Sequence, residues 1–141
     1  MAHGPGAERA IAERLAYEAS HDPLTGTLNR REFDRRISVL LAEPSSSTAE
    51  HAVCLLDLDQ FKWVNDSRSH SAGDALLIEV ARALQAVVRP TDTLARFGGD
   101  EFVVLCEGLQ HEDDVVSVVE RLTAALERPL PTGPTGEPVS V

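Results

Sequence analysis

The sequence predicts an α+β domain in which a sheet with an antiparallel hairpin at its centre is flanked by amphipathic helices. Three observations predict it. The chain's 141 residues, 43% hydrophobic and 26% charged, suit one globular domain. Two apolar runs, Thr93 to Phe97 and Glu101 to Cys106, flank Gly98-Gly99-Asp100, a turn sequence that accepts positive φ. Before and after that hairpin, apolar residues recur at helical spacing.

Taken in order, Ala7 to Ser20 reads as a helix with a thin apolar stripe of Ile11, Leu15 and Ala19. So little apolar surface is marginal for an isolated helix, which is expected to lean on the domain or on its copy in a second subunit. Asp22-Pro23-Leu24-Thr25-Gly26 breaks it. A second helix starts at Asn29, an N-cap with Glu32 three positions on, and carries Phe33, Ile37, Leu40 and Leu41 on one face. It ends before the polar loop Pro44 to Thr48. His51 to Asp59 reads as a buried strand closing in two acids, and Asp74 to Val88 as a helix stopped by Pro90. After the hairpin, Glu112 to Glu127 forms a last helix with Val115, Val116, Val119, Leu122 and Leu126 inward. The turn-rich stretch Pro129 to Pro138 leads into Val139-Ser140-Val141, the opening of a strand.

Composition narrows the function. With 23 Asp and Glu against 13 Lys and Arg, the net charge of −10 argues against general binding to nucleic acid polymers, whose phosphates need neutralising by basic groups. Carboxylates that gather metal ions keep a nucleotide substrate in play. Cys54 and Cys106 lack metal-ligand spacing and read as buried reduced thiols. No run approaches the ~20 apolar residues of a membrane span, and Met1 to Gly6 has no signal-peptide pattern, so a cytoplasmic location is expected.

Chemistry concentrates in two places. Asp57 and Asp59 alternate with Leu58, which puts both carboxylates on one face at the exit of an apolar strand, where a cation would offset their burial. Gly98-Gly99-Asp100-Glu101 adds two acids at a turn whose glycines let a phosphate or sugar approach the backbone. If the two strands are neighbours, Asp57 and Asp100 can converge on a hard cation; otherwise these are solvated acids. Lys62, the sole lysine, lies five residues beyond Asp57, within reach of phosphate charge. Asn65 and Asp74 offer the groups to read a guanine edge, or act as a turn residue and a helix N-cap.

Three ordered segments together resemble one family. Asp22-Pro23-Leu24-Thr25-Gly26-Thr27-Leu28-Asn29-Arg30-Arg31, the stretch from Asp57 to Asp74, and Arg96-Phe97-Gly98-Gly99-Asp100-Glu101-Phe102 look like a GGDEF domain, the diguanylate cyclase family. The resemblance divides the chain into a linker helix, residues 1–20, and a GGDEF domain, residues 21–141. It implies a palm-like nucleotidyl cyclase sheet and the condensation of two GTP into cyclic di-GMP with release of pyrophosphate, in bacterial second-messenger signalling. Catalysis would need a homodimer, each domain holding one GTP.

By the same resemblance, Asp57, the carbonyl of Leu58 and Asp100 would bind Mg²⁺ or Mn²⁺. Asp100 would also activate the ribose 3′-hydroxyl, Lys62 would stabilise phosphate charge, Asn65 and Asp74 would recognise guanine, and Gly98-Gly99 would let the nucleotide lie against the hairpin. Arg89-Pro90-Thr91-Asp92 matches the family's RxxD motif, at which cyclic di-GMP inhibits, and arginine suits such a ligand. Two departures stand out. Ser69 precedes His70 where the family usually has glycine, and the family's remaining strand, further helix and basic motif would follow Val141, so the domain is expected to be incomplete at its C-terminus. The alternatives are a non-catalytic module that binds GTP or cyclic di-GMP and an inactive fragment of a larger signalling protein with an attached phosphodiesterase (EAL) domain.

Overall fold

The structure, a computed structural model, describes residues 4–43, 50–58, 70–127, 130–132 and 137–139. Its elements run α1 (Pro5–Ser20), α2 (Arg30–Ala42), β1 (Glu50–Asp57), α3 (His70–Val87), β2 (Thr93–Gly98), β3 (Glu101–Leu109), α4 (Glu112–Glu127), β4 (Leu130–Thr132) and β5 (Glu137–Val139). The α+β class is therefore as expected.

β1, β3 and β2 form an antiparallel sheet in that order, with β3 in the middle. Buried on both faces, β3 is a continuous apolar run, Phe102 to Cys106. One face of the sheet meets α3 and α4 through a core of Leu76, Leu77, Val80, Leu84, Phe102, Val104, Cys106, Val118 and Leu122. The other meets α2 through Leu28, Phe33, Ala95, Val103 and Leu105. Phe33 and Phe97 pack edge to face there, with ring centroids 5.2 Å apart. The free thiols are as the sequence suggested for Cys106, which is fully buried, with burial foremost, then Asp92 and Cys54, pushing its pKa up to about 12; Cys54 is half-buried.

Local chemistry sets the joints. Asn29 caps both helices it joins: its side-chain oxygen accepts from the Glu32 N–H at 2.9 Å, and its amide nitrogen donates to the Ala19 carbonyl at 2.9 Å. Thr27 and Leu28 then run against β2, where Leu28 bridges Ala95.

Several expectations need correction. β1 is not a buried strand. Its alternate residues face outward on the α2 side, leaving Val53 49% and Leu55 74% exposed. In the last helix Val116 and Val119 are exposed and Val118 is buried, because the 3.6-residue period groups Val115, Val118, Leu122 and Leu126 into one stripe. Leu41 likewise lies outside the stripe of α2 and is 77% exposed. α1 buries no residue, and it joins the domain at its C-terminal end, where Asn29 bonds the Ala19 and Ser20 carbonyls. α3 starts four residues earlier than expected, at His70, since Ala72 extends its apolar stripe beneath Leu76. The C-terminal strand begins at Glu137 and pairs with β4, which the prolines of that stretch had hidden. The loop Pro44 to Thr48, Ser140 and Val141 lie outside the described residues.

The two faces of α4 should respond differently to truncation. Leu122→Ala is expected to cost about 2–5 kcal/mol in urea unfolding. Val119→Ala should change stability by no more than about 0.5 kcal/mol, as an exposed substitution does.

Candidate functional site

The pairing of β1 with β3 ends with Asp57 opposite Glu101. Just beyond, the Leu58 N–H donates to the Asp100 carbonyl at 3.3 Å. The exit of β1 and the glycine turn are thus neighbours at one end of the sheet, as the sequence required for a shared cation. Leu58 is buried and anchors this end to the α3 side, while Asp57 and Glu101 are exposed. The register thus brings two acidic residues to the same point at the end of the sheet.

The turn itself rests on backbone conformation. Gly98 and Gly99 have φ of 124° and 51°, which a side chain would strain, and the register slips by one residue between Arg96 and Gly98. No atom stands within 4 Å of where a Cβ would project from either glycine, so the backbone lies open to a ligand.

Arg96 braces this turn, a role that its place in the motif did not disclose. Its Nε and Nη2 donate to the Gly99 carbonyl at 3.1 and 3.0 Å, and its Nη1 donates to the two Asp22 carboxylate oxygens at 3.0 and 3.2 Å. The Asp22 carboxylate also accepts from the Thr25 N–H at 2.9 Å and the Thr25 hydroxyl at 2.8 Å. Burial pushes the Asp22 pKa up, but these bonds and the Arg96 charge outweigh it and hold the group below the usual carboxylate range. An Asp-x-x-Thr turn far in sequence from an arginine was the available signal.

The other expected site residues are spread further. Asp74 lies exposed within the first turns of α3 rather than at its cap. Arg89 and Asp92 form a forked ion pair at the end of α3, with Nη2–Oδ1 at 2.7 Å, and Arg89 also donates to the Glu107 carbonyl at 3.1 Å. The bond to Asp92 raises the Arg89 pKa against the effect of burial. The Asp92 side chain is fully buried, whereas that of Arg89 remains 32% exposed. Asp59, Lys62, Asn65 and Ser69 lie outside the described residues.

As for a metal, no three His, Cys, Asp or Glu side chains assemble into a ready cluster among the described residues. The donors that do adjoin are hard oxygens, the carboxylates and carbonyls at the end of β1 and at the turn. Magnesium commonly takes one or two carboxylates and completes its shell with water and substrate phosphate, so this set fits that ion. No helix among the described residues is long and apolar enough to cross a membrane.

An antiparallel sheet backed by helices, with acids and a glycine turn at one end, defines an α+β domain. The family model for the diguanylate cyclase GGDEF domain matches residues 19–141, and the chain belongs to that family. It is 47% identical over 97 residues to DgcE of Escherichia coli K12, described as a probable diguanylate cyclase, which covers 69% of this chain and 9% of that protein. Among solved structures, the GGDEF domain of TpbB from Pseudomonas aeruginosa superposes with a TM-score of 0.79 at 35% identity, covering 85% of this chain and 69% of that one. The coiled coil and GGDEF domain of DgcB from Caulobacter crescentus, solved in complex with c-di-GMP, superposes with a TM-score of 0.83 at 28% identity over 94% of this chain and 70% of that one. The chain spans 9% of the length of DgcE and 27% of that of the diguanylate cyclase TpbB of Pseudomonas aeruginosa, so it covers only part of these relatives.

The depressed pKa of Asp22 makes a pH prediction. A carboxylate whose pKa is lower folded than unfolded contributes stability above the unfolded value and loses it as pH falls through the folded value. Stability should therefore fall as pH drops below about 4, and Asp22→Asn should flatten that acid limb in urea melts taken between pH 7 and pH 2.

Proposed function

We propose that this chain carries the catalytic module of a diguanylate cyclase. One observation carries the reading: in a chain of this family, Asp57 and Leu58 stand beside Asp100 and Glu101 where the open Gly98-Gly99 backbone can receive a nucleotide. The reaction joins two GTP molecules. The 3′-hydroxyl of each attacks the α-phosphorus of the other, two P–O bonds form, and two pyrophosphates leave with the electrons of the broken bonds.

The chain's residues would divide the labour as follows. Asp57, the Leu58 carbonyl and Asp100 hold Mg²⁺ or Mn²⁺, which when bound neutralises triphosphate charge. Asp100 takes the proton of the attacking 3′-hydroxyl. Gly98 and Gly99 let the nucleotide settle on the backbone, Asp74 with Asn65 reads guanine, and Lys62 meets phosphate charge. Because each module presents one such surface, two copies must face each other, and the outward apolar residues of α1, Ile11, Leu15 and Tyr17, are available for pairing. Partial exposure of Arg89 supports the reading of Arg89 and Asp92 as an inhibitory site for the product. The expected setting is the cytoplasm.

Incubation with GTP and Mg²⁺ should yield cyclic di-GMP, read by chromatography. Asp100→Asn should lower turnover by roughly 10²-fold or more while leaving the unfolding midpoint near that of the unaltered chain. Nucleotide binding by calorimetry without turnover, in this chain and in a form extended beyond Val141, would instead identify a non-catalytic binding module.

A further inference from the structure

We propose that Asp22 and Arg96 are a positioning pair through which the end of α1 sets the conformation of the glycine turn, and hence the place of Asp100. The inference rests on the cyclase reading above. Most ion pairs described in this molecule are local and exposed, such as Arg9–Glu13, whose side chains are 83% and 68% exposed. Asp22 and Arg96 are 74 residues apart, and each side chain is only 13% exposed. Such a pair is held by geometry that the surface pairs lack.

Each end of the pair is fixed differently. On the Asp22 side the chain is rigidly stitched. The His21 N–H bonds the Tyr17 carbonyl at 3.0 Å, Asn29 holds Ala19 and Ser20, and Leu28 exchanges bonds with β2 at 3.2 and 2.9 Å. Thr25 pins the carboxylate from two directions. On the other side is a turn of two glycines at positive φ beside a slip in register, a backbone that glycine leaves with many accessible states. The two bonds from Arg96 into the Gly99 carbonyl select one of those states, and Asp100 is the next residue. A displacement of the end of α1 therefore reaches the carbonyl that precedes Asp100 through the Arg96 guanidinium. Only arginine can serve carbonyl and carboxylate together, since its planar fork offers separate donors to each, whereas lysine is a point charge.

The test uses Asp22→Asn and Arg96→Lys, singly and combined, with amide hydrogen exchange read at Gly99, Asp100 and Glu101, and with GTP turnover. Exchange at these amides should quicken by about tenfold in each variant while the core amides of β3 keep their protection. Turnover should fall about tenfold in kcat with KM for GTP within about twofold, since misplacing a reacting group costs rate rather than binding. The double variant should be no slower than the worse single one, as for two members of one coupled unit. Unchanged exchange at the turn in both single variants overturns the proposal whatever happens to turnover. So does quicker exchange with an unchanged kcat, or a rise in KM alone. If the unaltered protein makes no cyclic di-GMP, the cyclase reading fails, and the exchange rates alone decide whether the pair sets the turn.

Discussion

The pairing of β1 with β3 is the interaction on which the rest of the molecule depends. It joins β1 to the central strand β3, gives α3 and α4 the Phe102, Val104 and Cys106 face to pack on, and leaves Val103 and Leu105 for Phe33 of α2. Its register also decides the chemistry. Because Val53 stands opposite Leu105 and Asp57 opposite Glu101, the acids of two distant segments arrive at the same end of the sheet. A slip of one residue would turn Ala52, Cys54 and Leu56 out of the core and bring Asp57, which alternates with them, to the core face. Packing and site are thus enforced by the same hydrogen bonds.

Much of this was legible in the sequence because the signals were local. Asn29 with Glu32, the glycine pair between apolar runs, and Pro90 after Val88 each specify a boundary through the backbone of a few residues. The adjacency of Asp57 and Asp100 was legible only as a condition, that their strands be neighbours, and the structure meets it. Long-range features were not readable. Nothing near Val53 or Leu55 says that one face of β1 is open, since an apolar run looks the same whether one or both faces are covered. Val116 and Val119 misled for a related reason: α4 has valines at 115, 116, 118 and 119, and the stripe facing the sheet is chosen by the sheet, not by the run. The bracing of Gly99 by Arg96 joins three segments and has no one-dimensional signature beyond its polar residue types.

Charge is distributed in keeping with that architecture. The part-buried ion pairs, Arg96 with Asp22 and Arg89 with Asp92, sit one at each end of β2. Each arginine also donates to a backbone carbonyl, of Gly99 and Glu107 respectively, so each closes a bend of the chain as well as neutralising an acid. The acids at the turn and at the exit of β1 lie outside these closures, where their negative potential faces solvent.

The hairpin has a further consequence in time. Thr93 to Gly98 and Glu101 to Leu109 are joined by a turn of two residues, so their ladder closes at small entropic cost and on the scale of about 1–10 μs. The β1–β3 ladder joins residues roughly fifty apart in sequence and must wait for a far larger loop to close. The glycine turn is therefore among the first parts of the sheet able to form, and β1 is added to a template that already exists. The glycine turn serves first, during folding, as the seed for the sheet.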